Sequence, residues 1–225
     1  MSGLVVAVDG PSGSGKSSAS RGAASALGLR YLDTGAMYRA LTWWFIRNAD
    51  TADASVVAKR AAEPAIEVST DPDDPWTRID GQDVTDEIRT AEVTARVSAV
   101  ARVPAVRAHL IALQRAIIAA AEPGIVAEGR DIGTVVAPSA QLKVFLTADS
   151  RARARRRAAE RGAAADATEA DQARRDRLDA AQSAKADDAV LIDATDLTLE
   201  QVISEITALA RERSALTCTG TRTND

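Results

Sequence analysis

The stretch Leu4-Val5-Val6-Ala7-Val8-Asp9-Gly10-Pro11-Ser12-Gly13-Ser14-Gly15-Lys16-Ser17 decides which fold this chain adopts. Residues 4–8 form a short apolar run rich in β-branched side chains, which is typical of a strand buried on both faces of a parallel sheet. Residues 10–17 fit the pattern G-x-x-x-x-G-K-[ST], and helix-forming sequence follows from 16 to 27 before Gly28, a suitable helix stop. The order strand, glycine-rich loop, helix is the context in which this pattern binds phosphate.

The chemistry of this loop predicts a nucleoside triphosphate ligand. Glycines let the backbone curl so that N–H groups point at phosphate oxygens, and the helix N-terminus adds its positive end. Lys16 is expected to reach the β- and γ-phosphates as a catalytic residue, and the Ser17 hydroxyl to bind Mg²⁺. The predicted triphosphate site consists of Gly10, Pro11, Ser12, Gly13, Ser14, Gly15, Lys16, Ser17 and Ser18.

Composition excludes several other classes of protein. The chain has 225 residues, a formal net charge of −4, one cysteine (Cys218) and one histidine (His109). A single cysteine excludes a disulfide scaffold and fits a reducing compartment, and a single histidine excludes a His-rich metal site. Apolar runs are shorter than the roughly 18 residues of a membrane span, the first residues lack a signal-peptide pattern, and net acidity disfavours nucleic-acid binding by bulk charge. We expect a cytoplasmic protein that binds neither membrane nor nucleic acid.

Short apolar strands alternate with helical stretches along the rest of the chain. Further strands are predicted at 30–32, 125–127, 142–146 and 189–192, and further helices at 36–47, 56–62, 91–101, 104–121, 149–161, 169–181 and 199–213. This alternation predicts an α/β fold of three layers, in which helices cover both faces of a parallel sheet. We assign residues 1–213 to one domain that contains the phosphate loop.

Three stretches depart from the alternation. Between about 64 and 89, short alternating runs flank the hairpin signal Asp80-Gly81, which predicts a small inserted antiparallel β lobe. Small and polar residues at 162–168 predict a mobile loop, and the polar, aperiodic residues 214–225 predict a disordered tail.

Motifs elsewhere in the chain narrow the class of phosphate-loop protein. The Asn-Lys-x-Asp base reader of a small GTPase and the signature motif of a transporter ATPase are both missing from the sequence. The strand at 125–127 leads into Glu128-Gly129-Arg130-Asp131, unlike the strand of a motor ATPase. A small-molecule kinase remains, and such an enzyme needs arginines around two polyanions. Only four of the 28 basic residues are lysines, so arginine predominates.

Two predicted strand ends carry candidate acceptor residues. Thr34 and Arg39 lie where the helix after the second strand begins, and there they can hold an acceptor phosphate. Arg130 and Asp131 follow the strand at 125–127, at the end where open α/β sheets bind ligands. The alternatives are a plain helix cap beside a surface arginine for the first pair and a structural ion pair for the second.

Two helical arginine clusters carry further candidates. Arg153 and Arg157 share a helix face and are expected to act as catalytic residues that clamp the transferring phosphoryl group. Arg175 and Asp179 also share a face, and they can bind a phosphate and a sugar hydroxyl respectively. The alternative in each cluster is a solvated charge or a surface salt bridge.

Together these motifs resemble bacterial cytidylate kinase, a family of nucleoside monophosphate kinases. The matching segments are 8–17, 32–39, 83–89, 103–107, 128–136 and 175–179, within a resemblance that runs from about 5 to 213. The resemblance implies that residues 1–213 are one phosphate-loop kinase domain, with a lobe for the nucleoside monophosphate near 64–89 and a mobile lid near 158–169. It also implies transfer of the γ-phosphoryl group of ATP, accompanied by Mg²⁺, to CMP or dCMP. We expect a monomer whose partners are these small-molecule nucleotides.

Carried onto this chain, the family pattern implies an acceptor site of eight residues. They are Thr34, Arg39, Ser98, Arg107, Arg130, Asp131, Arg175 and Asp179. Cytosine presents acceptors at O2 and N3 and a donor at N4, an edge that Ser98, Arg107 and Asp131 can satisfy together. Uracil presents the opposite pattern at N3 and C4 and would leave buried polar groups unpaired.

One position departs from the family pattern. The family usually has an arginine three residues after Asp179, where this chain has Gln182 in a shortened segment. Lys185 is a point charge and not a fork, so we expect weaker binding of the monophosphate than with a complete motif. Two other functions stay open: a kinase for another acceptor such as UMP or a metabolite, and a degenerate ATP-binding regulatory protein.

Overall fold

A central sheet of five strands carries the phosphate loop. The computed structural model describes residues 3–49, 51, 53–161 and 183–219. The strands are β1 (Leu4–Asp9), β2 (Arg30–Asp33), β6 (Gly124–Gly129), β7 (Leu142–Thr147) and β8 (Val190–Asp193), in the order β2-β6-β1-β7-β8. β1 pairs in parallel with both β6 and β7, and β7 in parallel with β8. The α/β fold with a parallel sheet is therefore confirmed.

The chain divides into two compact units. Residues 1–31 and 121–225 form the first, and residues 32–120 form the second. The second unit is thus inserted into the first along the chain.

The first unit contains the helices α1 (Lys16–Leu27), α6 (Ser150–Arg161) and α7 (Leu199–Thr219). α1 buries a face of small residues that includes Ala19, Ala23 and Ala24. A Cβ added at Gly22 would lie 2.4 Å from Ile203 Cδ1, so glycine allows α1 and α7 to approach closely. Apolar residues of the strands, of α1 and of α7 form one buried cluster.

The second unit combines helices with a small antiparallel sheet. Its elements are α2 (Thr34–Asn48), α3 (Ala54–Arg60), β3 (Ile66–Val68), β4 (Thr77–Ile79), β5 (Gln82–Asp83), a 3₁₀ turn (Glu87–Arg89), α4 (Ala91–Ala101) and α5 (Pro104–Ala120). The sheet order is β3-β4-β5. Asp80 and Gly81 link β4 to β5 with φ angles of 50° and 76°, as the hairpin signal predicted.

Observed boundaries agree closely with the predicted elements, apart from the C-terminal end. Gly28 has a φ of 65° and ends α1 through its N–H, which contacts the carbonyls of Ala24 and Ser25. α7 continues to Thr219, so the predicted aperiodic tail is wrong for residues 214–219. The predicted helix at 169–181 and most of the predicted lid lie outside the described residues.

The length and hydropathy of a helix decide whether it can span a membrane, and the helices concerned lie within residues 3–49, 53–161 and 183–219. No single helix there is both long and apolar enough to cross a bilayer. Among the helices of these ranges, α4 and α5 taken together reach that length and composition, and they are bent by 98° at the break between them.

Candidate functional site

The phosphate loop lies between β1 and α1 with the backbone shape that its glycines allow. Gly10, Gly13 and Gly15 have φ angles of 151°, 76° and 93°, in the region that favours glycine. A Cβ at Gly10 would lie 2.0 Å from the carbonyl oxygen of Leu146, so a side chain there would clash with β7. Gly15 precedes α1 without a side-chain cap, and the first N–H groups of α1 are thus a suitable anion site.

Four carbonyl groups of the loop each accept a hydrogen bond from a cationic side chain. Lys16 Nζ donates to the Pro11 carbonyl at 2.8 Å, and Arg130 donates to Gly10 at 3.2 Å. Arg153 donates to Ser12 at 3.1 Å, and Arg156 to Ser14 at 3.2 Å. The predicted residues Lys16, Arg130 and Arg153 are therefore gathered around the predicted triphosphate loop.

α6 supplies two of these arginines from one partly buried face. Arg153 also donates through Nε to the Ala148 carbonyl at 3.1 Å. Arg156 also donates to the carbonyls of Ala194 and Leu197, at 2.5 and 3.4 Å, in the connection between β8 and α7. α6 thus links the phosphate loop to two other segments of the first unit.

The segment after β6 adjoins the phosphate loop because their strands are neighbours. Val8 pairs with Glu128 and Asp9 with Gly129 in the parallel register of β1 and β6. Glu128 is buried, and its Oε1 accepts a hydrogen bond from the Tyr31 hydroxyl at 2.9 Å. The strand ends therefore bring Arg130 and Asp131 beside the loop.

Asp9 is a buried carboxylate at the end of β1, directly before the phosphate loop. Its Oδ1 accepts the Ile132 N–H at 2.8 Å, and its Oδ2 accepts the Gly133 N–H at 2.7 Å. Burial raises the pKa of Asp9 above its ordinary value of 3.8, and the nearby Asp131 carboxylate raises it further. The two N–H groups and the Lys16 ammonium oppose this rise.

In the second unit, α2 positions the first acceptor candidates. Asp33 caps α2 by accepting the Ala36 N–H at 2.9 Å, and its other oxygen lies 3.6 Å from Arg89. Thr34 is buried in the first turn. Arg39, one turn further on, donates to the Ile88 carbonyl at 3.1 Å and to Thr94 Oγ1 at 3.0 Å. A helix cap is therefore present, but Arg39 is not a plain surface arginine.

The same helices bring Arg39 and Ser98 to a common region of the second unit. α2 packs against α4, and Ser98 follows Thr94 by one helical turn, so the two share a face of α4. Ser98 is buried, whereas Arg107, in the first turn of α5, is partly buried. Three elements thus carry the predicted acceptor residues of this unit.

The remaining predicted residues are either exposed or outside the described part of the chain. Ser17 and Ser18 are exposed at the start of α1. Arg157 belongs to α6, but its side chain lies outside the described part of the chain. Arg175, Asp179 and Gln182 also lie outside the described residues. Lys185 is exposed and donates to the carbonyls of Ala186 and Ala189.

Comparison with known proteins gives one consistent family. The model of the cytidylate kinase family matches residues 6–212. A cytidylate kinase of Streptomyces coelicolor is 53% identical over 218 residues, which cover 94% of each chain. Cytidylate kinases of Streptomyces avermitilis and Mycolicibacterium paratuberculosis are 51% and 49% identical, and the matches cover 94% of this chain and 94% and 96% of theirs.

The chain belongs to the cytidylate kinase family. Its class is therefore that of the nucleoside monophosphate kinases, as the motifs predicted.

Three site residues of this cytidylate kinase family member were not singled out from its sequence. Asp9 and Arg156 bind backbone groups that come together only in the folded chain. Thr94 binds Arg39 across two helices. Helical periodicity carried a signal for Arg156 alone, since position i+3 from Arg153 shares its face as well as position i+4 does.

Kinases of this family usually act with Mg²⁺ as well as ATP. Within the described ranges, no three His, Cys, Asp or Glu side chains are grouped to hold a metal ion. Mg²⁺ is usually held by one or two protein oxygens together with substrate phosphates and waters. The exposed hydroxyl of Ser17 suits an ion of this kind that arrives with the nucleotide.

Proposed function

We propose that the protein transfers the γ-phosphoryl group of ATP to CMP or dCMP, giving ADP and CDP or dCDP. One observation carries this proposal: the loop between β1 and α1 has left-handed glycines, an uncapped helix start and a ring of cationic side chains. Membership of the cytidylate kinase family supports CMP as the acceptor.

On the donor side, we assign Gly10 to Ser18 to the ATP phosphates. The Lys16 ammonium now donates to a neutral carbonyl, and a phosphate oxygen is a stronger acceptor because it is charged. Lys16 therefore exchanges its carbonyl partner for the β- and γ-phosphates when ATP binds. Arg153 and Arg157 neutralise the charge that spreads over the transferring group.

Ser17 is the residue proposed to hold Mg²⁺, together with the ATP phosphates. Bound there, Mg²⁺ would supply positive charge that offsets the negative charge of the phosphates. The protein's own contribution is the hydroxyl ligand at the start of α1, beside the lysine that binds the same phosphates.

On the acceptor side, the chemistry requires binding and orientation and no general base. A phosphate monoester has a second pKa near about 6, so the attacking oxygen of CMP is already anionic at neutral pH. We assign Thr34, Arg39, Arg130 and Arg175 to the phosphate, and Asp179 to a sugar hydroxyl. Ser98, Arg107 and Asp131 are assigned to the cytosine edge, which sets the preference over uracil.

The setting of the reaction follows from the chain itself. We propose that the enzyme acts in the cytoplasm, because a chain with one cysteine suits a reducing compartment. We also propose a monomer, because one chain supplies every residue assigned above.

Replacing Lys16 by alanine tests the proposal. We expect CMP-dependent ADP release by Lys16→Ala to fall at least about 100-fold, because the charge that stabilises the transferring phosphoryl group is lost. Lys59→Ala removes an exposed lysine in the last turn of α3 and should leave the rate unchanged. A Lys16→Ala enzyme with an unchanged circular dichroism spectrum and wild-type turnover would refute the proposal.

A further inference from the structure

Asp9 joins the phosphate loop to the segment that follows β6. It is the last residue of β1 and immediately precedes Gly10, and its side chain binds a turn more than 120 residues later in the chain. Each carboxylate oxygen accepts one backbone N–H, from Ile132 and Gly133, at 2.8 and 2.7 Å. Asp9 is buried, so water cannot easily replace either bond.

The turn that receives Asp9 fixes the backbone of Asp131. Residues Ile132–Val136 form a wide π-helical turn, and the Asp131 carbonyl accepts the N–H groups of Val135 and Val136 at 2.8 and 3.2 Å. The two N–H groups that follow Asp131 are those that Asp9 binds. Asp131 is therefore held by its own carbonyl and by the next two peptide groups.

Gly133 is the point of closest approach in this arrangement. A Cβ at this position would lie 3.1 Å from Lys143 Cδ and 3.3 Å from Asp9 Oδ2. Both distances are tighter than ordinary van der Waals contact, so Lys143 and Asp9 would have to shift by a few tenths of an ångström to admit a side chain. The contact between Asp9 and the turn thus depends on both residues.

We propose that Asp9 is a positioning residue for the acceptor: through the N–H groups of Ile132 and Gly133 it holds Asp131 where the carboxylate reads the acceptor base. This inference rests on the proposed function, in which Asp131 contacts cytosine. Arg130 adds a second link between the same two segments, because it follows β6 and donates to the carbonyl of Gly10, which follows β1. The donor loop and the acceptor-reading segment are thereby fastened to one another within the first unit.

The proposal predicts different effects on the KM for CMP and on the KM for ATP. If Asp9 acts on Asp131, its loss weakens acceptor binding and base selection. If Asp9 acts only on the loop that follows it, its loss weakens ATP binding instead. Asp9→Asn keeps the shape of the side chain, but the amide nitrogen cannot accept the second N–H.

The experiment measures steady-state kinetics and amide hydrogen exchange on the full chain. For Asp9→Asn we expect the KM for CMP to rise about five- to tenfold, the preference for CMP over UMP to narrow, and the KM for ATP to stay within about twofold. Exchange at the Ile132 or Gly133 amide should accelerate about tenfold.

Gly133→Ala provides a second variant that leaves the phosphate-loop sequence untouched. It disturbs the same contact from the opposite side and should raise the KM for CMP in the same direction. Val135→Ala is the matched control, because this exposed side chain lies on the same turn, and it should leave both constants unchanged.

Each outcome decides the inference. Unchanged exchange and an unchanged KM for CMP in Asp9→Asn overturn it, as does a KM for ATP that rises as much as that for CMP. If the wild-type enzyme uses UMP in place of CMP, the proposed function fails while the effect of Asp9→Asn on the KM for UMP still decides this inference.

Discussion

At the scale of single residues, the site consists mainly of cations bound to backbone carbonyls. Lys16, Arg130, Arg153 and Arg156 each donate to a different carbonyl of the phosphate loop. Hydrogen bonds from charged donors are stronger than those between neutral groups, so this loop is held in shape before a nucleotide binds. Pre-organisation of this kind lowers the cost of binding phosphate.

Arg156 is expected to matter for both stability and ATP binding. Arg156→Ala removes bonds to Ser14, Ala194 and Leu197, and we expect the free energy of unfolding to fall by about 2 kcal/mol and the KM for ATP to rise several-fold. The free energy of unfolding and the KM for ATP of Arg156→Lys should lie between those of the wild-type protein and of Arg156→Ala, because an ammonium group lacks the forked donors of a guanidinium group. Urea unfolding and initial-rate kinetics provide the measurements.

Arg155→Ala is the control for this prediction, because Arg155 is an exposed neighbour on α6. It should behave as the wild-type enzyme does in both assays. An Arg156→Ala protein with the stability and the KM of the Arg155→Ala control would contradict the role assigned to Arg156.

The sequence predicted which residue types form the site better than it predicted their partners. It singled out Lys16 and Arg153 through local signals, the phosphate-loop pattern and helical spacing, and both donate hydrogen bonds to carbonyls of the loop. It did not distinguish Arg156 from the other arginines of α6, since all have the same chemistry. Only tertiary structure decides which of them meets the carbonyls of Ser14 and Ala194.

At the scale of elements, the parallel sheet positions the site through its strand ends. β1 and β6 end side by side, so the phosphate loop and the segment from Glu128 to Asp131 start from adjacent positions. β8 is joined to β7 by parallel pairing and by an ion pair of Lys143 with Asp188, at 2.9 Å. The side chain of Lys143 is mostly buried, whereas Asp188 is exposed.

The Lys143–Asp188 pair predicts part of the acid sensitivity of the fold. The hydrogen bond from Lys143 holds the pKa of Asp188 below its ordinary value of 3.8. A lowered pKa favours folding above the ordinary value, and this contribution is lost as pH falls through the folded-state value. We therefore expect Asp188→Asn to narrow the difference in urea midpoint between pH 7 and pH 3.

Asp187→Asn changes the adjacent exposed carboxylate and serves as the control. Asp187→Asn should keep the wild-type difference in urea midpoint between pH 7 and pH 3. If Asp188→Asn keeps that difference as well, the ion pair does not contribute to acid stability.

Most elements were predictable, because buried strands and amphipathic helices have clear patterns. The end of α7 is an exception, because the polar residues after Arg213 predict a tail whereas the helix continues to Thr219. Residues 199–219 contain neither glycine nor proline, and the first residue that readily ends a helix is Gly220. The absence of a helix breaker was therefore a better guide than polarity at this end of the chain.

At the scale of the whole molecule, the distribution of charge matters more than its total. A net charge of −4 is unfavourable for binding two polyanions, yet four cationic side chains surround one loop. The sequence also predicted a small lobe at about 64–89, whereas the compact unit spans residues 32–120. Helical periodicity shows that α2, α4 and α5 have buried faces, but it does not show that they pack together.

The central claim is that this member of the cytidylate kinase family phosphorylates cytidine monophosphates. Coupled ADP release, measured with CMP, dCMP, UMP and AMP as acceptors, tests it most directly. We predict that kcat/KM for CMP and dCMP exceeds that for UMP and AMP by at least about 100-fold, because a site built for the cytosine edge leaves polar groups unpaired with other bases. Equal use of UMP or AMP, or ATP binding without ADP release on addition of CMP, would contradict the claim.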